Sequence, residues 1–370
     1  MNELLIAADR IWTGGILETG LAIETDGQRV TALRPLGRDT PDVHLPLLMP
    51  GCTDLQVNGG GGVLLNADPT VAGIEAIAAA HRRLGTARIL PTLITDAPEL
   101  MEAAADAVIA AMEQPGIIGI HLEGPHISPE KRGTHDARFI RPLDQRTMAV
   151  LRRLRGAGVP VLLTLAPERA DPALLREAAA MGVVLSAGHS MATAAQAREA
   201  MDNGVSMFTH LYNAMPQMNS REPGMIAAAI LSDAWCGLIT DGIHVSPEML
   251  ELTLRARPRP DRCFIVSDAM PTVGGPDHFD LYGMDIHVRN GALVNSEGSL
   301  AGAHVDMVTS VRRLVRMTGI APERAIAMAT DIPCAAMGLA PLKIAPGMAM
   351  SDLIGLDERL DLVGIPGTGQ

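Results

Sequence analysis

The stretch GVVLSAGHSMATAAQAREAMDNGVSMFTHLY, residues 182–212, decides the fold class of this chain. Two continuous apolar runs, GVVLSAGH and VSMFTHLY, flank the segment TAAQAREAMDNG. The apolar residues of that segment have helical spacing, and it ends in glycine, a common helix stop. Continuous apolar strands are typical of a parallel sheet that is covered on both faces. The stretch therefore predicts a strand–helix–strand unit with parallel strands.

The same alternation recurs from Met49 onward. The strand-like runs are CTDLQV, ARILPTL, IIGIHLEG, VPVLLTLAP, GVVLSAGH, VSMFTHLY, CGLITDGIH and CFIVSDA. Helical spacing appears in IEAIAAAHRRLG, PELMEAAADAVIAAMEQ, DQRTMAVLRRLRGAG and TAAQAREAMDNG. Eight parallel strands that alternate with helices close a (β/α)8 barrel. We therefore predict an α/β fold with a TIM-like (β/α)8 barrel over residues 49–338.

The two ends of the chain have a different pattern. Residues 4 to about 48 contain β-type runs, LLIAADRIWTGG and LAIETDGQRVTAL, without a long helical pattern. The final segment KIAPGMAMSDLIGLDERLDLVGIPG is again strand-like. We predict that 1–48 and 339–370 form one small β-sandwich domain, so that the chain leaves it, builds the barrel and returns.

Charge and composition exclude several classes of partner. The formal net charge is −12 and no basic run is present, so neither nucleic acid nor an anionic membrane is predicted to bind. The four cysteines show no C-x-x-C pattern, which indicates free thiols in a reducing cytoplasm. The N-terminus lacks the basic start and long apolar core of a signal peptide. A membrane span is not predicted either, because the sequence contains no charge-free apolar stretch of about 18 residues.

Polar residues with useful chemistry stand at the C-terminal ends of the barrel runs, where active sites of this fold lie. Glu123, His189 and His210 end three different runs, so their side chains are expected to converge. Two imidazoles and one carboxylate with an open position form a catalytic zinc set, although such ligands also suit iron or another divalent metal. Asp268 ends the last run and is predicted to accept and return a proton. One divalent metal ion per subunit is therefore expected.

A second metal is not predicted. Many metal-dependent hydrolases of this fold carry H-x-H at the end of the first strand, where this chain has Gln56 and Asn58, which are poor zinc ligands. No lysine at a strand end offers a bridging carbamate.

The sequence also contains a candidate phosphate anchor. Arg221, in NSREPGM, is the candidate anchor because arginine binds phosphate with two parallel hydrogen bonds. By itself it could equally be a solvated loop residue. The Asn213 and Ala214 amides and His244 could add donors to the same anion.

Several motifs together resemble a known family. They are PGCTDLQVNG, HLEGPHISPEKRGTHD, SAGHS, THLYNAM, REPG, DGIHV and VSDA, in family order over residues 50 to about 305. They resemble the N-acetylglucosamine-6-phosphate deacetylase family of the amidohydrolase superfamily. The N-terminal ADRIWTG and the C-terminal APGMAMSDLIGLD also resemble the small β-sandwich of that family.

The resemblance implies a role for each matching residue. Glu123, His189 and His210 match the metal ligands, Asp268 matches the catalytic acid/base, and His135 matches a histidine that contacts the acetyl carbonyl. The residues implied to contact the sugar and its phosphate are Gln56, Thr134, Asn213, Ala214, Arg221, His244, Leu300, Ala301 and Gly302. The resemblance also implies a homodimer in which Arg221 can reach the neighbouring subunit's site.

The implied reaction is hydrolysis of the acetamide of N-acetyl-D-glucosamine 6-phosphate to D-glucosamine 6-phosphate and acetate. The alternatives are N-acetylgalactosamine 6-phosphate, another amidohydrolase substrate, and a catalytically inactive scaffold barrel. Three departures from the family pattern are expected near the sugar pocket: His126, the segment PQMNS, and Ala303 with His304. His121 lies two residues before Glu123 in the same run, so its side chain is expected to point to the same, inner face of the strand. It is expected to be a hydrogen-bonded residue below the metal.

Overall fold

The computed structural model of the chain describes residues 4–295 and 298–365. Its strands are β1 (Leu4–Trp12), β2 (Leu17–Glu18), β3 (Leu21–Thr25), β4 (Val30–Pro35), β5 (Val43–Pro50), β6 (Cys52–Val57), β7 (Gly59–Gly60), β8 (Val63–Leu64), β9 (Thr86–Ile94), β10 (Ile120–Glu123), β11 (Val161–Leu165), β12 (Val184–Ala187), β13 (Val205–Phe208), β14 (Trp235–Leu238), β15 (Cys263–Ile265), β16 (His278–Leu281), β17 (Met284–Arg289), β18 (Ala292–Val294), β19 (Leu300–Ala303), β20 (Leu353–Leu356) and β21 (Leu362–Val363). Its α-helices are α1 (Val71–Arg83), α2 (Pro98–Ala111), α3 (Gln145–Gly156), α4 (Pro172–Ala180), α5 (Ala194–Asp202), α6 (Gly224–Ile230), α7 (Pro247–Ala256), α8 (Met307–Thr318), α9 (Pro322–Ala329) and α10 (Asp331–Ala336).

Eight parallel strands form a nearly closed barrel in the order β15-β14-β13-β12-β11-β10-β9-β6. Each of the eight predicted runs overlaps one of these strands, which confirms the predicted fold class. The first and last strands meet at their C-terminal ends, where Val57, the last residue of β6, forms a parallel bridge with Ala269, which lies beyond β15. The Asn58 amide also donates to the Ala269 carbonyl at 2.9 Å. The barrel therefore closes directly beside Asp268.

A separate, mostly antiparallel sheet combines both ends of the chain, as predicted. Its order is β21-β20-β5-β1-β3-β4, with β2 paired to β1, and β20 joins β5 in antiparallel register. This sheet packs on its own apolar cluster, which includes Ile6, Ile11, Ile23, Leu48 and Leu353. Strand β5 continues past the predicted boundary at 48/49, and the predicted ends 1–3 and 366–370 lie outside the described residues.

The helix of the opening stretch, α5, shows why the helices pack closely on the barrel. Thr193 caps it in a reciprocal capping box with Gln196, which satisfies free amides of the first turn. Its buried face is built from Ala194, Ala197 and Ala200, whose small side chains allow close approach to neighbouring elements. The helix then ends before Gly204, as the sequence pattern predicts.

A four-stranded antiparallel sheet, β16 to β19, follows the last barrel strand. The predicted strand pair at 284–295 corresponds to β17 and β18. Phe279, Leu281 and Ile286 pack with Met270 and Ile94, so the sheet lies against the barrel's C-terminal end. This packing brings β19 next to the site described below. Within the described ranges, no helix is both long and apolar enough to cross a membrane.

Candidate active site

Three potential metal ligands converge at the C-terminal end of the barrel. Glu123 is the last residue of β10, and His189 and His210 follow β12 and β13. The Glu123 Oε1 atom lies 3.2 Å from His189 Nε2 and 3.0 Å from His210 Nε2, and the two Nε2 atoms are 3.0 Å apart. All three side chains are buried. Two ring nitrogens and one carboxylate oxygen from three strands thus meet at one point, as a single divalent ion requires.

The backbone turns sharply at each of these strand ends. His189, His210 and Asp268 have φ values of 47°, 28° and 52°. Non-glycine residues in this left-handed region are uncommon and concentrate at functional sites. Gly188 makes the turn before His189 possible, since a Cβ there would lie 2.9 Å from atoms of both Thr164 and Thr209.

Surrounding hydrogen bonds orient the potential metal ligands. The Nδ1 atom of His189 donates to the Lys131 carbonyl at 2.8 Å, which orients the ring so that Nε2 is directed at Glu123. Gln56 donates from Nε2 to Glu123 Oε1 at 3.0 Å. Burial opposes ionisation of Glu123, but hydrogen bonds from His189 and His210 outweigh it and hold its pKa well below the usual value. The convergent lone pairs of an ionised carboxylate and two imidazoles fit one divalent cation.

Asp268 lines the same cavity as the three potential metal ligands. Hydrogen bonds hold its carboxylate through one of its two oxygens. Gln56 Nε2 and Asn58 Nδ2, here called the amide pair, donate to Asp268 Oδ1 at 3.1 and 2.7 Å. No described residue donates to Oδ2. Burial, followed by the negative charge of Glu123, raises the pKa of Asp268 to about 6. This carboxyl can therefore exchange a proton near neutral pH.

A second buried carboxyl, Asp54, joins the first and last barrel strands beneath Asp268. It accepts hydrogen bonds from the Ser267 hydroxyl and from the Ser267 and Gln56 amides, the latter two at 3.2 Å. Burial raises the pKa of Asp54 to about 7. Because Ser267 directly precedes Asp268, these bonds fix Asp268 relative to Gln56.

His135 is held next to the potential metal ligands by Thr95. Its Nδ1 atom lies 2.7 Å from Thr95 Oγ1 and accepts from the Thr95 amide at 3.4 Å. An amide N–H can only donate, so the proton of the neutral ring belongs on Nε2. Burial, followed by the charge of His189, lowers the pKa of His135 to about 3. His135 is therefore a neutral donor, and its ring centroid lies 4.4 Å from that of His189.

One cavity of about 410 Å³ contains most of the predicted residues. Those in its wall are Glu123, Thr134, His135, His189, His210, Asn213, Ala214, His244, Asp268, Leu300 and Gly302. The other wall residues, for which the sequence predicts no site role, are Asn58, Ile94, Glu130, Lys131, Gly133, Met270 and Ser299.

Three predicted contacts lie outside this wall. Gln56 is buried beneath it, and Ala301 is buried between two wall residues. Arg221 is exposed on a surface loop. Its neighbour Glu222 accepts from the Ala194 and Gly224 amides, both at 3.0 Å, and so attaches this loop to α5 and α6.

Sequence reasoning missed Asn58 and Lys131 for different reasons. Asn58 was considered only as a poor metal ligand, although an amide beside a carboxylate can hold that carboxylate in place. Lys131 acts on His189 through its backbone carbonyl, which every residue type carries. No sequence signal could have identified that contact.

The unusual histidines take structural positions. His126 is fully buried, with its ring nitrogens 3.1 Å from the Arg141 carbonyl and 3.0 Å from Thr147 Oγ1, and it does not belong to the cavity wall. His304 Nδ1 lies 2.9 Å from Thr272 Oγ1, also outside that wall. His121 is buried below Glu123 between the Thr92 and Thr164 hydroxyls, as expected.

Comparison with known proteins gives consistent results. The model of the amidohydrolase family matches residues 47–348. The chain is 39% identical to N-acetylgalactosamine-6-phosphate deacetylase of Shewanella sp. (strain ANA-3), over 90% of this chain and 87% of that protein.

Two solved structures of N-acetylglucosamine-6-phosphate deacetylases are similar over nearly the whole chain. The enzyme of Pasteurella multocida has a TM-score of 0.89 at 30% identity, covering 99% of each chain. A mutant of the Mycobacterium smegmatis enzyme, in complex with N-acetyl-D-glucosamine-6-phosphate, has a TM-score of 0.88 at 30% identity, covering 98% of this chain and 97% of that one.

Proposed function

The chain belongs to the amidohydrolase family, and on that premise we propose that it hydrolyses the acetamide of an N-acetylhexosamine 6-phosphate. The predicted substrate is N-acetyl-D-glucosamine 6-phosphate, and the products are D-glucosamine 6-phosphate and acetate. The observation that carries the proposal is the meeting of Glu123, His189 and His210 with Asp268 in one cavity.

Glu123, His189 and His210 would hold one divalent ion, for which zinc is our first candidate and iron an alternative. A bound ion supplies Lewis-acid chemistry, because it polarises the amide carbonyl and lowers the pKa of water. The amide pair occupies the place where a second metal would need ligands, so the proposal requires one ion per subunit.

Asp268 is proposed to move the proton. Since the amide pair engages Oδ1, Oδ2 is left to accept a proton from the attacking water. The same oxygen then gives the proton to the acetamide nitrogen as the C–N bond breaks, so that a neutral amine leaves. A pKa raised to about 6 suits a group that must do both.

His135 is proposed to stabilise the acetamide oxygen as negative charge develops there. A neutral imidazole with its proton on Nε2 is a donor, and Thr95 holds the ring in that tautomer. A fixed donor directed at a developing oxyanion stabilises the transition state more than the substrate.

The remaining predicted contacts bind the sugar and its phosphate. We propose that Thr134, Leu300, Ala301 and Gly302 line the sugar, while Asn213, Ala214, His244 and Arg221 bind the phosphate. Gln56 lies beneath the cavity, so it is proposed to act on the substrate through Glu123 and Asp268. Binding energy far from the reacting bond orients the amide.

The assembly is proposed to be a homodimer in the cytoplasm. Arg221 is exposed and outside its own chain's cavity wall, which supports a role in the neighbouring subunit's site. Four free, buried cysteines are consistent with a reducing compartment.

A galacto substrate is the second candidate. The chain is 39% identical to a protein named N-acetylgalactosamine-6-phosphate deacetylase, which favours this candidate. Its identity to the two N-acetylglucosamine-6-phosphate deacetylase structures is lower, at 30%. The two sugars are C4 epimers with the same acetamide and the same phosphate, so the chemistry at Asp268 is common to both.

The test is acetate release by the metal-loaded protein from four compounds: the gluco and galacto 6-phosphates and both unphosphorylated sugars. We expect turnover of a phosphorylated sugar at a far higher kcat/KM than of its unphosphorylated form. The larger of the two kcat/KM values for the 6-phosphates identifies the substrate. Acetate release from neither 6-phosphate would overturn the proposed function.

A further inference from the structure

His244 lies in the cavity wall, and one of its two ring nitrogens is already engaged. Its Nδ1 atom is 2.7 Å from Asp241 Oδ2, and both side chains are almost fully buried. An ionised carboxylate can only accept, so Nδ1 carries a proton. The remaining ring nitrogen, Nε2, receives no hydrogen bond from a described residue.

Asp241 is itself held at several points. Its Oδ1 accepts from the Ile243 and His244 amides at 2.8 and 2.9 Å. Its backbone carbonyl accepts from Arg313 of α8 at 2.9 Å, and the preceding Thr240 hydroxyl donates to the Ser310 carbonyl at 3.0 Å. The backbone that carries this carboxylate is therefore attached to helix α8.

The charge of Asp241 is maintained inside the protein. Burial opposes its ionisation, but the hydrogen bond and charge of His244, together with the backbone amides of His244 and Ile243, outweigh burial and lower the pKa of this carboxyl below its usual value. A histidine that donates from both ring nitrogens carries a positive charge, and an ionised carboxylate behind the ring balances that charge.

We propose that Asp241 is a positioning residue that holds His244 with Nε2 available to the substrate's 6-phosphate and supplies the balancing charge for that contact. This proposal rests on the proposed function and extends it from the cavity wall to a residue that does not touch the substrate. Asp241 would thereby contribute to the preference for phosphorylated over unphosphorylated sugars.

The first test is Asp241→Asn. The asparagine oxygen can still accept from the two backbone amides, so the turn is retained, while the charge is lost. We expect KM for the phosphorylated sugar to rise about tenfold, the effect of one charge-assisted hydrogen bond. In contrast, kcat and the kcat/KM for the unphosphorylated sugar should stay within about twofold. A fall in kcat/KM of the same size for both sugars would overturn the proposal, because it would indicate a general structural role.

A double-mutant cycle tests whether Asp241 acts through His244. His244→Gln should raise KM at least as much as Asp241→Asn, and the double variant should be no worse than His244→Gln alone. Additive effects would contradict the proposal. Asp171→Asn is the matched control, because Asp171 is an exposed helix cap that accepts from the Ala173 amide at 2.8 Å, and KM should not change.

Binding of inorganic phosphate separates this proposal from the proposed reaction. Phosphate should perturb the ¹⁵N signals of His244 in the wild-type protein, and Asp241→Asn should weaken that binding about tenfold. This readout requires no turnover, so it remains valid if the acetate assay fails. Equal phosphate affinity of the wild-type protein and of Asp241→Asn would overturn the proposal.

Discussion

At the scale of single residues, the two oxygens of Asp268 are not equivalent. The amide pair donates only to Oδ1, so one oxygen is fixed and the other stays available for the proton. Burial and the charge of nearby Glu123 make the protonated form accessible. The neighbours that would prepare Asp268 for acid/base work therefore come from other parts of the barrel, at the end of β6 and of β10.

Replacement of Asp268 by asparagine tests its role as proton carrier. Asp268→Asn retains the shape of the side chain but cannot accept the proton, so we expect kcat to fall by at least about 10³-fold. Metal analysis should find the same metal content as in the wild type, because Asp268 is not one of the three proposed ligands. Near-normal turnover would remove Asp268 from the mechanism.

The amide pair should tune the reaction without holding the metal. Asn58→Ala removes the donor at 2.7 Å from Asp268 Oδ1, so we expect kcat to fall about tenfold, as for one lost charge-assisted hydrogen bond. Metal content should be unchanged. By contrast, Glu123→Ala should lose both metal and activity. Loss of metal from the Asn58 variant would show that this residue belongs with the ligands instead.

At the scale of elements, the loop after β10 is anchored on helix α3 through His126. The ring meets Thr147 of that helix and the Arg141 carbonyl just before it. Burial is the main cause that lowers the pKa of His126, to about 4. The same loop continues to Lys131 and His135, so this anchor supports the site from behind.

Stability at mildly acid pH should depend on His126. The folded protein favours the neutral ring, whereas the unfolded chain takes up the proton near pH 6.5. The contribution of His126 to the free energy of unfolding is therefore fully present above about pH 6.5. It is lost as the pH falls toward about 4, by up to about 3 kcal/mol.

Urea unfolding of the wild type and of His126→Asn at pH 7 and pH 5 measures this contribution. The variant should be less stable at pH 7, because it loses a ring contact, but should lose less stability between the two pH values. The same pH dependence in both proteins would show that His126 does not contribute to it.

At the scale of the whole molecule, the barrel gathers the reacting groups, while Arg221 remains outside. The potential ligands come from β10, β12 and β13, and the base follows β15. The exposed loop that holds Arg221 is attached to α5 and α6 and does not enter its own chain's cavity wall. A complete phosphate site is therefore expected only in the proposed dimer.

Mixing of two impaired variants, assayed at a substrate concentration far below the KM of Arg221→Ala, tests this expectation. Arg221→Ala and Asp268→Asn subunits are denatured together and refolded at equal amounts. If Arg221 acts in the partner's site, half of the dimers are mixed and each contains one intact site, so activity should recover to about a quarter of the wild-type value. If Arg221 acts in its own chain, no mixed dimer has an intact site and the activity should not rise above the residual activity of Arg221→Ala. Arg221→Ala alone should mainly raise KM for the phosphorylated substrate.

The sequence by itself determined the barrel and the candidate residues for the reaction. The two apolar runs of the opening stretch and the six other runs encode parallel strands locally, because burial on both faces requires continuous apolar residues. Glu123, His189, His210 and Asp268 could be selected because each stands at the end of such a run, and strand ends of a barrel share one face. Pairing of the two chain ends in one sheet followed from their similar β-type patterns.

Only the tertiary structure decided what supports those residues. Asp54 meets Ser267 across the barrel closure, and the Lys131 carbonyl meets His189, although 213 and 58 residues separate the partners in sequence. Asp241 and His244 are neighbours in sequence, yet only the fold shows that one faces the cavity and the other lies behind it. Such contacts have no periodic signature, because a hydrogen bond depends on where two atoms lie in space and not on the spacing of residue types along the chain.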